Sequence, residues 1–573
     1  MPVLVELRVL DGPNLYFPRP AIKLTLDLDA YASLPPGEFT AAARALGARI
    51  GRVGAPATRA RQSALLRLGE SVVRQVAAAS GTTRLGVRAR PGGDLGQIVV
   101  AYPWRHRGRA EALGLAAAEV LSRQAAGLPR QGGVASEAEW LEAAAAQVRT
   151  SELGPRPEVL NPRIPVVSVT GTNGKTTVTR LISHLSMTAG LRTGWTNTDG
   201  IYLQGELVEA GDWSGPGGAR RVLAEPGLAL AVLETARGGL LFRGMGVDHN
   251  DVSVVTNVSA DHLGLQGIDT LDQLAEVKAI VVGVTRAGGW TVLNGDDPRT
   301  FAMRARSKAR PWIFSLDPES PSLRAAVDEG GRGATVIDGQ LAMLDASFDA
   351  DLLLPVLDLP VAMAGLSRHD VANALAATAA ALALGLPRAA VIDGLRTFRP
   401  GPEHNPGRLN VFSLDGVTVV VDLAHNEAGL ASLLSVLHGL RAPGCSVRLV
   451  LGTAGDRTDD VLSLLGELAA RGADDVVIGH KERYLRGRTT AEMAALYRAG
   501  AAAVGVSDLP EAPTELAGLR LLLGRAQPGD VVAVMCHAER AEIYAWLAEA
   551  GATVDPPDVI RTKAAAGAQP LRP

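Results

Sequence analysis

Cysteine is nearly missing from this 573-residue chain, with Cys445 and Cys536 the only two. Two thiols build neither a disulfide framework nor a four-thiolate zinc site, and their scarcity fits a reducing compartment. Long apolar runs are also missing. The most apolar helical stretch, residues 371–387, is mostly alanine and is interrupted by Asn373 and Thr378, which makes it a short and poor bilayer span. The opening MPVLVELRVLDGPN places Glu6, Arg8 and Asp11 where a secretory signal needs an apolar core, so no targeting segment is read there. A soluble, cytoplasmic protein away from membranes is expected. Nor does either charge dominate: the net charge is −3, which argues against bulk attraction to nucleic acid. That balance conceals a split, because residues 1–150 hold 19 Arg plus Lys against 12 Asp plus Glu and the remainder is correspondingly acidic. Lysine itself is scarce, limited to Lys23, Lys175, Lys278, Lys308, Lys481 and Lys563. A lysine kept against so strong an arginine bias points to a need for an amine.

Hydrophobic residues at 47% and charged residues at 20% describe an ordinary globular chain, and its length predicts roughly three to five domains. Residues 1 to about 130 alternate short apolar runs such as LVELRVL with alanine-rich helical runs, which predicts a small α+β domain. A linker follows, with a helical segment around Glu137 to Val148 and the proline-spaced GPRPEVLNPRIP. Beyond it an apolar strand at Val166 to Val169, a glycine-bearing turn and a helix from about Thr176 to Ala189 open an α/β domain. Further strands are expected at 228–235, 252–258 and 289–294, forming a doubly wound, mostly parallel sheet. A second boundary falls in FRPGPEHNPGR. After it VTVVVDLA, SVRLVLGT, DDVVIG and DVVAVM predict a Rossmann-like α/β domain. The expected division is therefore 1–160, 161–400 and 401–573.

The segment VVSVTGTNGKTTVTRLI carries Gly171, Thr172, Asn173, Gly174, Lys175, Thr176 and Thr177. Its glycines let backbone amides wrap phosphate oxygens, its lysine supplies a charge at the β and γ phosphates, and Thr176 offers a hydroxyl to Mg²⁺. Val169 stands where the usual eight-residue spacing has glycine, so the loop is a shortened one. Glu234 and His262 follow other strands, and strand ends on one edge of a parallel sheet converge where ligands bind. A carboxylate and an imidazole there are credible ligands for Mg²⁺ ions that bridge phosphates. Lys278 lies in the helical stretch LDQLAEVKAIVVGV.

In order, TGTNGKTT, ETARGG, NVSADHLG, Lys278, NGDD (294–297), GLSRHDVAN, PGR (406–408), DLAHN (422–426) and GTAGDR (452–457) resemble the Mur ligase superfamily, ATP-dependent amide ligases of peptidoglycan and folate metabolism. More narrowly, ETARGGL, SADHLG, NPGRLN and LRGR (485–488) resemble the Mur-type half of cyanophycin synthetase, and LDGPNLY resembles that enzyme's small N-terminal domain. Cyanophycin synthetase has an ATP-grasp domain between those regions. Here only residues 131–165 separate them, so this chain alone is not expected to make cyanophycin from free aspartate and arginine. Asp370, Leu423 and Glu427 also depart from the usual motifs, departures that bear on acid and amine specificity rather than on ATP binding.

The resemblance implies that ATP phosphorylates a carboxylate and that an amine then attacks the acyl phosphate. Lys175 and the loop amides would hold phosphates, and Thr176 with Glu234 one Mg²⁺. His262, with Lys278 carbamylated as in many Mur ligases, would hold a second ion. Asn294 and Asp297 match the adenine-side segment, and His369 and Asn373, four apart on one helical face, would sit beside the nucleotide. Arg408 would reach the γ-phosphate, and Asp422 and His425 the nucleotide or metal, when the last domain closes. Asp456, Arg457, Arg486 and Arg488 are candidates for the amine's carboxylate, which guanidinium groups read bidentately. The implied partners are a small-molecule amine and a carboxylate or peptide, with no nucleic acid and no membrane; a homo-oligomer stays open. Rival readings are a folylpolyglutamate-type glutamate ligase and a silent homologue that binds nucleotide and a polymer. Arg105, His106, Arg107 and Arg109 form a basic cluster open to three readings: a nucleic-acid patch, a dock for an acidic peptide, or a solvated face. Cys536 and His537 have no further cysteine nearby, so zinc is not expected and a structural role is the better reading.

Overall fold

Val166–Thr170 reads VVSVT and is buried along its whole length, as a strand must be when helices cover both faces of its sheet. In the computed structural model, which describes residues 3–128, 137–157, 159–261 and 263–567, this strand lies inside an eleven-stranded sheet. The middle is parallel, in the order Arg332–Ile337, Arg310–Phe314, Thr285–Asn294, Asn250–Val255, Val166–Thr170, Leu230–Glu234 and Thr193–Thr196. Antiparallel strands extend both edges. The strands expected at 228–235, 252–258 and 289–294 are present with shifted ends. An edge strand such as Glu206–Ala210, exposed at every residue, carries no burial pattern by which to recognise it.

Helix Lys175–Thr188 follows the first parallel strand across the glycine turn, and helix Arg368–Ala383 shares its core. The second helix is the alanine-rich stretch. Ala374, Ala376, Ala377, Ala379, Ala380 and Ala381 are all fully buried, and their small side chains let the helix pack close to the sheet. Larger residues there would overpack the core at about 1–3 kcal/mol each. Among the described residues no helix is long and apolar enough to cross a membrane.

A second sheet of seven strands holds the parallel set Glu511–Ala512, Asp475–Gly479, Val447–Leu451, Val531–Met535 and Val417–Asp422, with Asn410–Leu414 and Thr553–Val554 antiparallel at one edge. The third sheet is antiparallel and four-stranded, Leu4–Leu10, Ala21–Asp27, Gln97–Pro103 and Arg88–Pro91 in spatial order. Helices Arg59–Ala79 and Arg107–Ala126 cover one of its faces. The fold class is thus α/β, with a smaller α+β unit at the front. Part of the expected linker belongs to that unit, since Ala144 and Val148 of helix Glu137–Thr150 sit in its core.

The LDGPN segment joins the front unit to the large sheet. Asp11 N–H donates to the Arg243 carbonyl at 2.8 Å, Met245 N–H donates to the Pro13 carbonyl at 2.7 Å, and the Asp11 carboxylate pairs with Arg243 at 2.7 Å. A side chain on Gly12 would put Cβ 2.0 Å from the Met245 carbonyl oxygen, so only glycine allows the approach. In the basic cluster, Arg107 pairs with Glu111 at 3.0 Å and Arg109 donates to the Arg149 carbonyl at 3.2 Å.

Candidate active site

The turn from Thr170 to Thr177 is shaped by two glycines. Gly171 has φ +146°, and a Cβ there would meet Thr256 Oγ1 at 1.9 Å; Gly174 has φ +85°, and its Cβ would meet Asn373 Oδ1 at 2.2 Å. Asn373 therefore leans on the turn itself, one helical turn from His369. Neighbouring strand ends brace the loop from outside. Thr172 N–H donates to the Asn257 carbonyl at 2.9 Å, Asn173 N–H to Asn257 Oδ1 at 3.0 Å, and Asn294 Nδ2 to the Thr256 carbonyl at 2.8 Å. The first amides of helix Lys175–Thr188 face the cavity without side-chain caps, which suits an anion.

Lys175 Nζ donates to the Thr172 carbonyl at 2.7 Å and curls over the loop. Thr176 Oγ1 donates to Glu234 Oε2 at 2.9 Å. Glu234 is 1% exposed, and its other oxygen, Oε1, is buried with no hydrogen-bond partner among the described residues. Burial pushes this carboxyl up, against the pull of Lys175, the Thr176 bond and Arg408. Among the described residues no three His, Cys, Asp or Glu gather as a metal cluster. A cation on Glu234 Oε1 and the Thr176 hydroxyl would then take its other ligands from phosphate and water, the usual mode for Mg²⁺. The residues present fit such an ion and a polyphosphate beside it. His262 lies outside the described residues. Lys278 is 3% exposed, and its Nζ donates to the Gly171 carbonyl at 2.7 Å. Burial, followed by repulsion from Lys175, lowers it to about 7.

Across the cleft stands the seven-stranded sheet. Arg408 Nη2 lies 3.4 Å from Thr176 Oγ1. The Asp422 carboxylate accepts the Leu409 and Ala424 amides at 2.9 and 2.7 Å; burial raises it and Arg408 pulls it back. Burial lowers His425 to about 4 despite Asp261 nearby. Asn173 and Asn426 exchange a pair of amide hydrogen bonds, at 3.3 and 3.0 Å, that ties this sheet to the phosphate loop. The cleft between the two sheets holds a cavity of about 410 Å³, within the range of small-ligand sites. Its walls include the loop from Thr172 to Thr177, Asn294, His369, Arg408, Asp422 and His425.

Five sequence candidates stand elsewhere. Asp297 is not in the cleft wall: its carboxylate caps helix Pro298–Ala302 through the Arg299 and Thr300 amides and accepts the Val258 amide at 2.6 Å, while Asp296 faces the cavity. Arg488 is spent on the Gly455 and Arg457 carbonyls and on Asp459, so it clamps a turn. Arg486 is exposed at φ +51° beside Tyr484. Asp456 pairs with Arg457, which also reaches Asp261 at 3.2 Å across the junction. Cys536 is fully buried, and burial pushes its thiol up, as in an inert core cysteine. Asn426 and Asp296 were missed. Both neighbour residues the motifs named, and DLAHN and NGDD alone do not say which member turns inward.

A phosphate loop at the switch point of a parallel sheet, faced by a second sheet that carries an arginine, defines a nucleotide-handling α/β protein with a closing unit. The chain belongs to the Mur ligase family. Residues 169–381 match the Mur ligase middle domain, and residues 407–537 match the Mur ligase, glutamate ligase domain. The UDP-N-acetylmuramyl-tripeptide synthetase of Deinococcus radiodurans is 32% identical over 380 residues, 64% of this chain and 71% of that one. The cyanophycin synthetase of Synechocystis sp. is 41% identical over 337 residues, 58% of this chain. The match spans only 38% of the length of that relative. Among solved structures, E. coli FolC in complex with DHPP and ADP aligns with TM-score 0.50 at 20% identity over 69% of this chain and 90% of that one, a likeness of fold.

Proposed function

We propose that the chain is an ATP-dependent carboxylate–amine ligase working through an acyl phosphate, with functional units at residues 1–160, 161–400 and 401–573. The observation that carries this reading is the one cavity in which Lys175, Thr176 and the loop amides face Arg408, Asp422 and His425 of another sheet. A carboxylate oxygen of the acid attacks the γ-phosphorus of ATP and the bond to ADP breaks. The amine nitrogen then attacks the acyl carbon, and phosphate and a proton leave. Lys175 and the loop amides hold the β and γ phosphates, while Arg408 adds charge from the opposite wall. Thr176 and Glu234 would hold one divalent cation, and His262 with Lys278 a second; a bound cation supplies charge against the phosphate oxygens. His425, neutral at pH 7 because of its burial, closes the cleft with Leu409, Leu423 and Leu433, which keep water from the acyl phosphate. Arg457, paired with Asp261 and Asp456 at the junction, would take the amine's carboxylate by exchanging one of those partners for it.

The test is ADP release against a panel of acidic peptides crossed with amino acids, with Lys175→Ala as control. At least one pairing is expected to exceed the control; none doing so favours a silent nucleotide- and polymer-binding homologue.

Carbamylation of Lys278 is part of this reading. With a value near 7, the amine is largely neutral at pH 8. Its nitrogen then attacks CO₂ and loses a proton, turning a cation into a carboxylate. Lys278→Ala is expected to cost roughly 10- to 100-fold in turnover, with part restored by added acetate or formate. Equal loss with and without those carboxylates counts against the carbamate.

A further inference from the structure

Arg408 sits on a turn that holds a non-glycine residue in left-handed backbone. Gly407 has φ +71°, and Leu409, which is not glycine, has φ +46°. Gly407 takes that φ freely, but left-handed backbone at Leu409 needs outside support. On one side, Gly407 N–H donates to Asn410 Oδ1 at 2.7 Å and to the Tyr544 hydroxyl at 2.8 Å. On the other, Arg180 of helix Lys175–Thr188 donates to Asn405 Oδ1 at 3.2 Å and approaches the Pro406 carbonyl at 3.4 Å. Arg540 completes the surround: a Cβ on Gly407 would touch Arg540 Cδ at 3.1 Å.

Three guanidinium groups, Arg180, Arg408 and Arg540, thus converge from two units. Arg180 and Arg408 repel each other, as the lowered value of Arg408 reflects after burial. Asp422 and Glu234 face Arg408 from the phosphate side, and Asp199 is the carboxylate that joins the other two. Asp199 Oδ2 accepts from Arg180 at 2.5 Å and Asp199 Oδ1 accepts from Arg540 at 2.7 Å. Arg180 is 4% exposed and Asp199 17%, so the pairing is poorly screened.

We propose that Asp199 is a positioning residue: by bridging Arg180 of the nucleotide-binding unit and Arg540 of the closing unit, it holds the Asn405–Asn410 turn so that Arg408 reaches the phosphate site only when the two units are docked. This rests on the ligase reading for the role of Arg408, but not for the bridge itself. Without Asp199 the two cations that grip the turn lose their shared anion, the turn loosens, and Arg408 withdraws from Thr176.

The test uses the full chain as wild type, Asp199→Asn, Asp199→Glu, Arg540→Ala, Arg408→Ala and the Asp199→Asn/Arg408→Ala double variant. Hydrogen–deuterium exchange over residues 405–410, with Mg²⁺ and AMPPNP present, needs no acid or amine substrate. Asp199→Asn and Arg540→Ala are each expected to speed exchange there about tenfold, and Asp199→Glu to restore part of the protection. Unchanged exchange in both overturns the bridge, whatever the enzyme makes, and if Asp199→Asn does not fold, Arg540→Ala decides alone. With a substrate pair from the panel, Asp199→Asn is expected to lower kcat by about 10- to 100-fold, the usual penalty for a small misplacement, while the KM for ATP moves less than about threefold. In the Arg408→Ala background the same change is expected to cost nothing further. Two losses that multiply in full would show that Asp199 does not act through Arg408. Turnover by no pair at all would count against the ligase reading and leave the exchange result standing.

Discussion

Lys175→Ala is expected to lower ADP release by about 10³-fold or more, because it removes the one flexible cation over the phosphate loop from a site that excludes water. The fold should survive. Lys175 Nζ bonds only its own loop, at the Thr172 carbonyl, and its side chain is half-buried at the cavity wall, so the thermal midpoint is expected to move little. Arginine is not an adequate substitute, since a planar fork cannot curl onto the loop as the ammonium does. Measured as ADP formed per enzyme with a productive pair, Lys175→Arg should remain within about tenfold of the alanine variant. Activity near wild type in either variant would remove the phosphate loop from the reaction.

Glu234→Gln is expected to move activity and stability in opposite directions. Turnover should fall by about 10²-fold or more, since the carboxylate whose Oε1 lies buried without a partner is the one suited to a cation. In protein free of metal and nucleotide the same change should stabilise by about 1–2 kcal/mol, because a buried charge is exchanged for a neutral amide that keeps the Thr176 bond. The pH dependence follows from the sign of the shift. The folded carboxyl is raised above 4.5, so the folded state binds this proton more tightly than the unfolded chain. Its contribution to stability is full below 4.5 and is lost as pH rises through the folded value. Thermal melts in chelator should therefore show wild type losing ground to Glu234→Gln as pH rises from 4.5 to 7. A variant less stable than wild type at pH 7 would mean that Glu234 is held by something other than Thr176, Lys175 and Arg408.

What the sequence discloses follows the range of the interaction. The phosphate loop, the strand ends at Glu234 and Asn294, and the lysine scarcity that singles out Lys175 and Lys278 are local, and glycine at a positive φ or a charge after an apolar strand is legible residue by residue. NGDD is ambiguous for a local reason as well: both aspartates are chemically suited to a ligand, and only the start of helix Pro298–Ala302 decides that the second becomes a cap. The bridge from Asp199 to Arg540 spans 341 residues and the amide pair from Asn173 to Asn426 spans 253. No periodicity encodes such contacts, which exist only where two sheets far apart in the chain meet. The edge strands escaped for want of burial, and the helix within the linker could be foreseen as a helix but not as a piece of the front unit's core.

The amide pair has one further consequence. Asn173 and Asn426 are both neutral, so dissolved ions have no charge there to screen, whereas the Asp199 bridge is made of full charges and Arg540 is 30% exposed. These two contacts between the same units therefore answer to different properties of the medium. Rising ionic strength is expected to weaken the partly exposed Arg540–Asp199 contact beside the strained turn while leaving the asparagine pair at the phosphate loop unchanged.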